Sequence, residues 1–209
     1  MNFVALVTYL LVMSITPGPN NLVLASSGVN HGFSRTVPSL LGMSLGLSVQ
    51  VGLLTVFLGG LMSVIASVQV YLAVAGCLYL LWLSWGMARS APAAGESGGA
   101  PMGFWGGVLF NWLNPKVWLM GFNIAMVFLP AKMNAWHAGL LFAALTFVIG
   151  LPCIALWAGS GVAARRLLAS PRRLRAFNCG MAAMLALTAV WLLLEMLPAQ
   201  SMQALPQMI

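Results

Sequence analysis

Two short runs of residues have types and spacing that could do chemistry. Thr16-Pro17-Gly18-Pro19-Asn20-Asn21 interrupts an apolar stretch near the start of the chain, and Asn111-Trp112-Leu113-Asn114-Pro115-Lys116 interrupts another. Each proline lacks an N–H, and its ring clashes with the preceding turn, so a continuous helix is not expected through either run. In lipid, the peptide groups freed at such a break are tolerated only where protein or a water-filled cavity satisfies them. The amides of Asn20 and Asn21 bring further donors and acceptors. A helix resuming after Pro19 would turn its positive N-terminus toward a carboxylate, which is the chemistry of a solute site at mid-membrane. A structural kink alone is the competing reading.

The second run adds a charge. With span limits of about 104 and 129, Lys116 falls near the bilayer midplane, where a lysine costs at least roughly 2.5–3.5 kcal/mol on insertion scales. The chain has only two acidic residues, Glu96 and Glu195. Glu96 belongs to a loop and Glu195 to the outer end of the last span, so neither is expected at the depth of Lys116. Three solutions stay open: Lys116 donates to freed backbone carbonyls, it is neutral, or its partner is a substrate carboxylate. The expected substrate-binding set is therefore Thr16, Pro17, Gly18, Pro19, Asn20, Asn21, Asn111, Asn114, Pro115 and Lys116.

Other candidates read as structure. Gly42 and Gly46 form a small-xxx-small face for close helix packing. Gly150 and Pro152 suggest a kink, Gln50 and Asn123 interhelical hydrogen bonds, and His31 and His137 interfacial positions. Cys77, Cys153 and Cys179 fall in separate apolar spans without CxxC spacing, so they read as small core residues. No nucleophile–base constellation, HExxH run or phosphate loop occurs, so neither catalysis nor a metal or other cofactor is expected, and ATP-driven work would need a partner chain.

The elements that must position these residues follow from composition. Of 209 residues, 61% are hydrophobic and 5% charged, against roughly 25% charged in soluble domains; the mean hydropathy is +0.98. The fold class expected is an all-α polytopic membrane protein with six transmembrane helices. The spans are about 3–26, 38–61, 66–87, 104–129, 137–162 and 176–197, with the hairpin at Ser63–Gln69 the least marked boundary. No Lys or Arg precedes Arg35, so the first span reads as a retained helix and not a signal peptide. The net charge of +7 does not mark a nucleic-acid binder, because the nine Lys and Arg lie mostly between spans.

Arg35, Arg89 and the run Arg165, Arg166, Arg172, Arg173 and Arg175 make the odd loops cytoplasmic and put both termini outside. Trp82, Trp85, Trp105 and Trp136 fall near span ends, where indoles favour the headgroup region. Pro17 and Pro115 lie 98 positions apart, as do Pro38 and Trp136, which suggests two three-helix repeats of opposite orientation. The single membrane domain, 1–209, then divides into repeat one (about 1–88), a cytoplasmic loop (about 89–103, rich in Ala, Gly, Ser and Pro) and repeat two (about 104–209). Chance spacing of similar hairpins is the alternative.

TPGPNN, SSGVNHGF, GMSLGL and NWLNPKVWL together resemble the LysE/RhtB amino-acid exporters over nearly the whole chain, and most nearly the cysteine/O-acetylserine branch of that family. The resemblance implies export of amino acids from a bacterial cytoplasm across the inner membrane, driven by the proton gradient. It points to Pro17, Gly18, Pro19 and Asn20 and to Asn114, Pro115 and Lys116. Lysine-exporting relatives carry an acidic residue in the second helix, whereas 38–61 here has none; small neutral amino acids or derivatives, of the cysteine/O-acetylserine or threonine/homoserine type, are the expected substrates. The absence of a mid-membrane carboxylate also leaves Lys116 or the substrate itself to titrate in any proton coupling. Besides substrate, the expected partner is the lipid bilayer, and a homo-oligomer is compatible with the sequence. A passive solute channel and a non-catalytic helper subunit are the alternatives in function.

Overall fold

The computed structural model describes residues 2–89, 100–130, 132–168 and 170–204; side chains at 58–70, 72, 73, 192 and 195–204 are not described. The loop at 90–99 with Glu96, and the Glu195 carboxyl, therefore lie outside the described residues. Seven α-helices make up the described chain, which contains no strand: α1 (Phe3–Ile15), α2 (Pro19–His31), α3 (Phe33–Arg89), α4 (Phe104–Leu113), α5 (Pro115–Phe128), α6 (Ala135–Ala164) and α7 (Pro171–Ala204). The all-α expectation holds. Residues Phe33–Phe57 of α3, all of α6 and Pro171–Trp191 of α7 are each long and apolar enough to cross a bilayer; α1 and α2, bent by 49° at their break, together make a fourth such span.

The hairpin expected between 38–61 and 66–87 is not marked by a break in the helical backbone. The backbone is helical from Phe33 to Arg89, 57 residues, because no proline interrupts its hydrogen bonding after Pro38. Pro38 does not open this helix but lies inside it, the chain having turned at Gly32 (φ 82°). A straight helix of this length would run about 85 Å, yet α3 does not run straight. Gly46 faces Val108 and Asn111, while Gly76 faces Leu113 and Pro115, and the Tyr79 and Phe110 rings are 6.0 Å apart. Thirty residues of straight helix would separate Gly46 from Gly76 by about 45 Å, but their partners lie within one short stretch of chain. Between Gly46 and Gly76 the chain must therefore double back, so that both of its legs pack on α4.

Close approach is built from glycine. A Cβ on Gly42 would meet the Phe104 carbonyl, one on Gly28 the Ala158 carbonyl and one on Gly161 the Ala25 carbonyl. These contacts join α3 to α4 and α2 to α6 at backbone distance, as small-residue faces allow. Two buried cores result. One contains Leu24, Met43, Leu80, Phe110, Ala158 and Leu185; the other contains Leu6, Leu10, Val51, Ile124, Ala138 and Phe142. The first is built on α2 and α4 and the second on α1 and α5, so the two helix breaks lie at the boundary between the cores. Trp82, Trp85, Trp105 and Trp136 are all well exposed, as interfacial indoles should be. Cys77 and Cys153 are buried, whereas Cys179 is on the exposed face, so only two of the three cysteines belong to the core.

Candidate functional site

Both expected interruptions occur. α1 stops at Ile15; Thr16 (ψ 135°) and Gly18 (φ −168°, ψ 177°) are extended, and Pro19 opens α2. α4 stops at Leu113; Asn114 (φ −91°, ψ 107°) is extended, and Pro115 opens α5. Pro19 and Pro115 each stand at the first turn of a helix, where a missing N–H leaves no bond unmade. The matching prolines are thus Pro19 and Pro115, not Pro17 and Pro115, and the offset between the breaks is 96 positions.

The freed carbonyls are satisfied by side chains. Asn21 Nδ2 donates to the carbonyls of Ser14 (2.9 Å) and Thr16 (2.8 Å). Trp157 Nε1 donates to the Ile15 carbonyl at 3.1 Å, and Trp118 Nε1 to the Trp112 carbonyl at 2.8 Å. Asn114 Oδ1 accepts from the Lys116 backbone N–H. The Lys116 ammonium donates to none of these carbonyls.

A chain of amides crosses between the two breaks. Asn20 Nδ2 donates to Asn111 Oδ1 at 2.8 Å, and Asn114 Nδ2 donates to Asn20 Oδ1 at 2.8 Å. Asn111 Nδ2 continues to the Met43 carbonyl. Asn111 and Asn114 are almost fully buried. These three asparagines spend their amides on one another, so in this conformation they tie α2 to α3, α4 and α5.

Gly18, Pro19, Asn20, Asn21, Asn114 and Lys116 line one cavity of about 40 Å³. Thr16, Pro17, Asn111 and Pro115 do not line it: Thr16 turns its hydroxyl back to the Val12 carbonyl, Pro17 is exposed, and Pro115 packs on Gly76. The Lys116 chain lies along Gly18, so closely that a methyl added there would stand 2.8 Å from Nζ. Lys116 is half-buried, and among the described residues its ammonium has no hydrogen-bonding partner and no carboxylate. A volume of this kind admits a few waters but not an amino acid, so the site as it stands is closed.

Beyond α2's first turns lies a second, wider cavity of about 440 Å³, lined by Val23, Ser26, Ser27, Asn30, His31 and Arg89 among others. The Arg89 guanidinium lies 4.2 Å above the Trp85 ring. Asn30 and Asn178 exchange amide hydrogen bonds at 3.0 and 3.2 Å, fixing α2 to α7. Asn20, Val23, Ser27 and Asn30 recur at helical spacing, so one face of α2 runs from the closed site to this cavity.

Sequence reasoning missed Ser14, Trp157 and Trp118. An indole N–H near a helix break was the available signal for Trp118, since a freed carbonyl in lipid requires a donor; Trp157, inside α6 and 142 positions from Ile15, gave none.

A family model, "LysE type translocator", matches residues 11–196. The chain is 34% identical to the cysteine/O-acetylserine efflux protein of Klebsiella pneumoniae over 91% of this chain and 96% of that protein. It is 35% identical to the protein of that name from Salmonella typhimurium, over 71% of this chain and 78% of the relative. Identity to the Escherichia coli K12 protein of the same name is 33%, over 77% and 82%. No solved structure matches the chain. With this extent of match, and with apolar helices broken around a small cavity, the chain belongs to the LysE type translocator family and is a multi-pass membrane transporter, not an enzyme.

Proposed function

We propose that this protein exports small neutral amino acids from the bacterial cytoplasm across the inner membrane, with cysteine and O-acetylserine, named in its relatives, the first substrates to try. One observation carries the reading: the Lys116 ammonium faces a cavity between two broken helices with no carboxylate among the described residues to pair it. A substrate carboxylate entering there meets that ammonium and the N-terminus of α2, where charge-assisted bonds are strongest. No acidic side chain is available in the cavity lining to hold a cationic substrate, which favours neutral ones.

The transporter works in this reading as one domain of six spans: α1 with α2, the two legs of α3, α4 with α5, α6, and α7. Repeat one (1–88) and repeat two (104–209) have opposite orientation. The packing supports this, since α1 and α2 lie along α6 as α4 and α5 lie along α3. Both termini are outside, and the cavity rimmed by Arg89 opens to the cytoplasm. Substrate collects there, and the amide chain at Asn20 parts as one repeat rocks against the other. The proton gradient drives the cycle, with Lys116 or the substrate carrying the proton.

The test is efflux from liposomes holding the purified chain. Uphill release of cysteine or O-acetylserine under a proton gradient is expected, and Lys116→Met should insert normally yet lose it. Flux that only equilibrates would indicate a channel; undiminished efflux by the variant would remove Lys116 from the mechanism.

A further inference from the structure

Ser14 and Asn21 stand out when buried polar groups are matched with their partners. Ser14 is 7% exposed and Asn21 3%. The Ser14 hydroxyl and Asn21 Oδ1 are both buried without a hydrogen-bond partner. Such orphaned groups are rare in folded proteins and require a reason. The direction of the Asn21 amide is fixed by chemistry: its Nδ2 meets two carbonyl oxygens, those of Ser14 and Thr16. Reversing the amide would set oxygen against oxygen, so Oδ1 is the atom left over.

Both residues line the cavity that Lys116 lines. The residues lining the cavity thus bring unpaired groups of two kinds: a cation along Gly18, and, buried in its wall, a hydroxyl from the end of α1 and an amide oxygen from the first turn of α2. A carboxylate would use the first and could also accept from the Ser14 hydroxyl, but it would leave Asn21 Oδ1, which can only accept, unsatisfied. A primary ammonium has three N–H donors and no acceptor, which suits a pair of oxygens with nothing else to bind.

We propose that Ser14 Oγ and Asn21 Oδ1 form a subsite for the α-ammonium group of the substrate, so that the site reads both poles of a zwitterion. The subsite rests on the transport reading given above. It makes a free α-amino group, and not the side chain, the feature that admits a solute. The serine hydroxyl accepts from the ammonium while Asn21 continues to hold the two carbonyls, so no bond now present needs to break on its account.

The experiment uses liposomes containing the full chain, loaded in parallel with cysteine, N-acetylcysteine and 3-mercaptopropionate, and with threonine, N-acetylthreonine and 3-hydroxybutyrate. The desamino acids are smaller than their parents, so poor transport of them is not a matter of size. Release of either amino acid at least about tenfold faster than its two analogues is expected, because an analogue leaves buried polar groups unpaired. Ser14→Ala, which leaves the Asn21 bonds to backbone intact, should slow the amino acid severalfold and bring its rate toward that of the desamino analogue. Analogues released as fast as their parents, or a Ser14→Ala variant with undiminished preference, would overturn the subsite while leaving carboxylate-dependent transport standing. If neither amino acid nor analogue leaves wild-type vesicles, the transport reading falls and the subsite falls with it.

Discussion

Gly18→Ala separates the site from the scaffold more sharply than any other single change. At φ −168° the backbone of Gly18 is ordinary extended chain, so alanine fits without strain. The new methyl would stand 2.8 Å from Lys116 Nζ and 3.2 Å from its Cδ, and these atoms belong to the end of a flexible side chain that can swing away. Folding should therefore change little; the loss of chain freedom on replacing glycine is worth about 0.4–1 kcal/mol in favour of the folded state and offsets the small displacement. Binding should change much more. A hydrogen bond to a charged group contributes about 1.5–3 kcal/mol, which corresponds to roughly ten- to a hundredfold in half-saturating substrate. Gly161→Ala is the control, since its methyl would meet the Ala25 carbonyl, which is backbone and cannot step aside; overpacking of that kind costs about 1–3 kcal/mol. The assay pairs thermal unfolding in detergent with concentration-dependent efflux from liposomes. Gly18→Ala should keep its melting temperature within a few degrees and lose affinity, whereas Gly161→Ala should lose stability. Wild-type half-saturation in a well-folded Gly18→Ala protein would refute the claim that Lys116 meets substrate beside Gly18.

Two further predictions concern the amide chain and the wider cavity. Asn20→Leu removes both bonds made by Asn20 and strands Asn111 Oδ1 and Asn114 Nδ2; at about 1–3 kcal/mol for each buried unsatisfied group, denaturant unfolding in detergent should register a loss of several kcal/mol, and a loss below about 1 kcal/mol would mean that water replaces the bonds. Arg89→Gln removes a cation from the rim of the wide cavity and should raise half-saturation severalfold with maximal rate retained and salt dependence weakened, as for electrostatic steering; unchanged salt dependence would leave Arg89 with Trp85 as a membrane anchor only.

The break positions were legible because proline acts locally: Pro19 and Pro115 fit the first turn of a helix and disfavour helical backbone at the residue before them. Lys116 was legible as an unpaired charge because the whole chain has just two acidic residues. The partners of the asparagines were not legible. Nothing local tells Asn20, which faces another helix break 91 positions away, from an asparagine that faces solute, so the expected set mixed cavity-lining residues with Asn111, which is consumed by packing. Ser14 was hidden for the opposite reason, as a serine inside a helical stretch ordinarily bonds its own backbone. The course of α3 was half legible: its two apolar legs and a hairpin between them could be read, but with neither charge nor proline from Ser63 to Gln69 the boundary was the least marked.

The two cores indicate which side of the site has to move. On the α1 and α5 side, Leu6, Leu10, Val51, Ile124 and Phe142 are all essentially inaccessible, and interiors packed in this way are not continuously deformable. On the other side the cavity lined by Val23 and Arg89 already has about ten times the volume of the site. Between the two cavities along α2 the separation is about one helical turn, from Asn20 to Val23. Access from the wide side therefore requires the Asn20 amide to exchange partners near Val23, a local step. Release on the far side requires the second core to part as a whole. α2 is held to α6 at Gly28 and Gly161, and α4 to α3 at Gly42; these close contacts join one proposed repeat to the other, so the rocking should pivot about them, with Asn20 bonded across the seam. A zwitterion seated on Lys116, Ser14 and Asn21 uses groups that the seam leaves unpaired, so it is its size against a cavity of about 40 Å³, and not competition for the Asn20 bonds, that couples occupancy to opening.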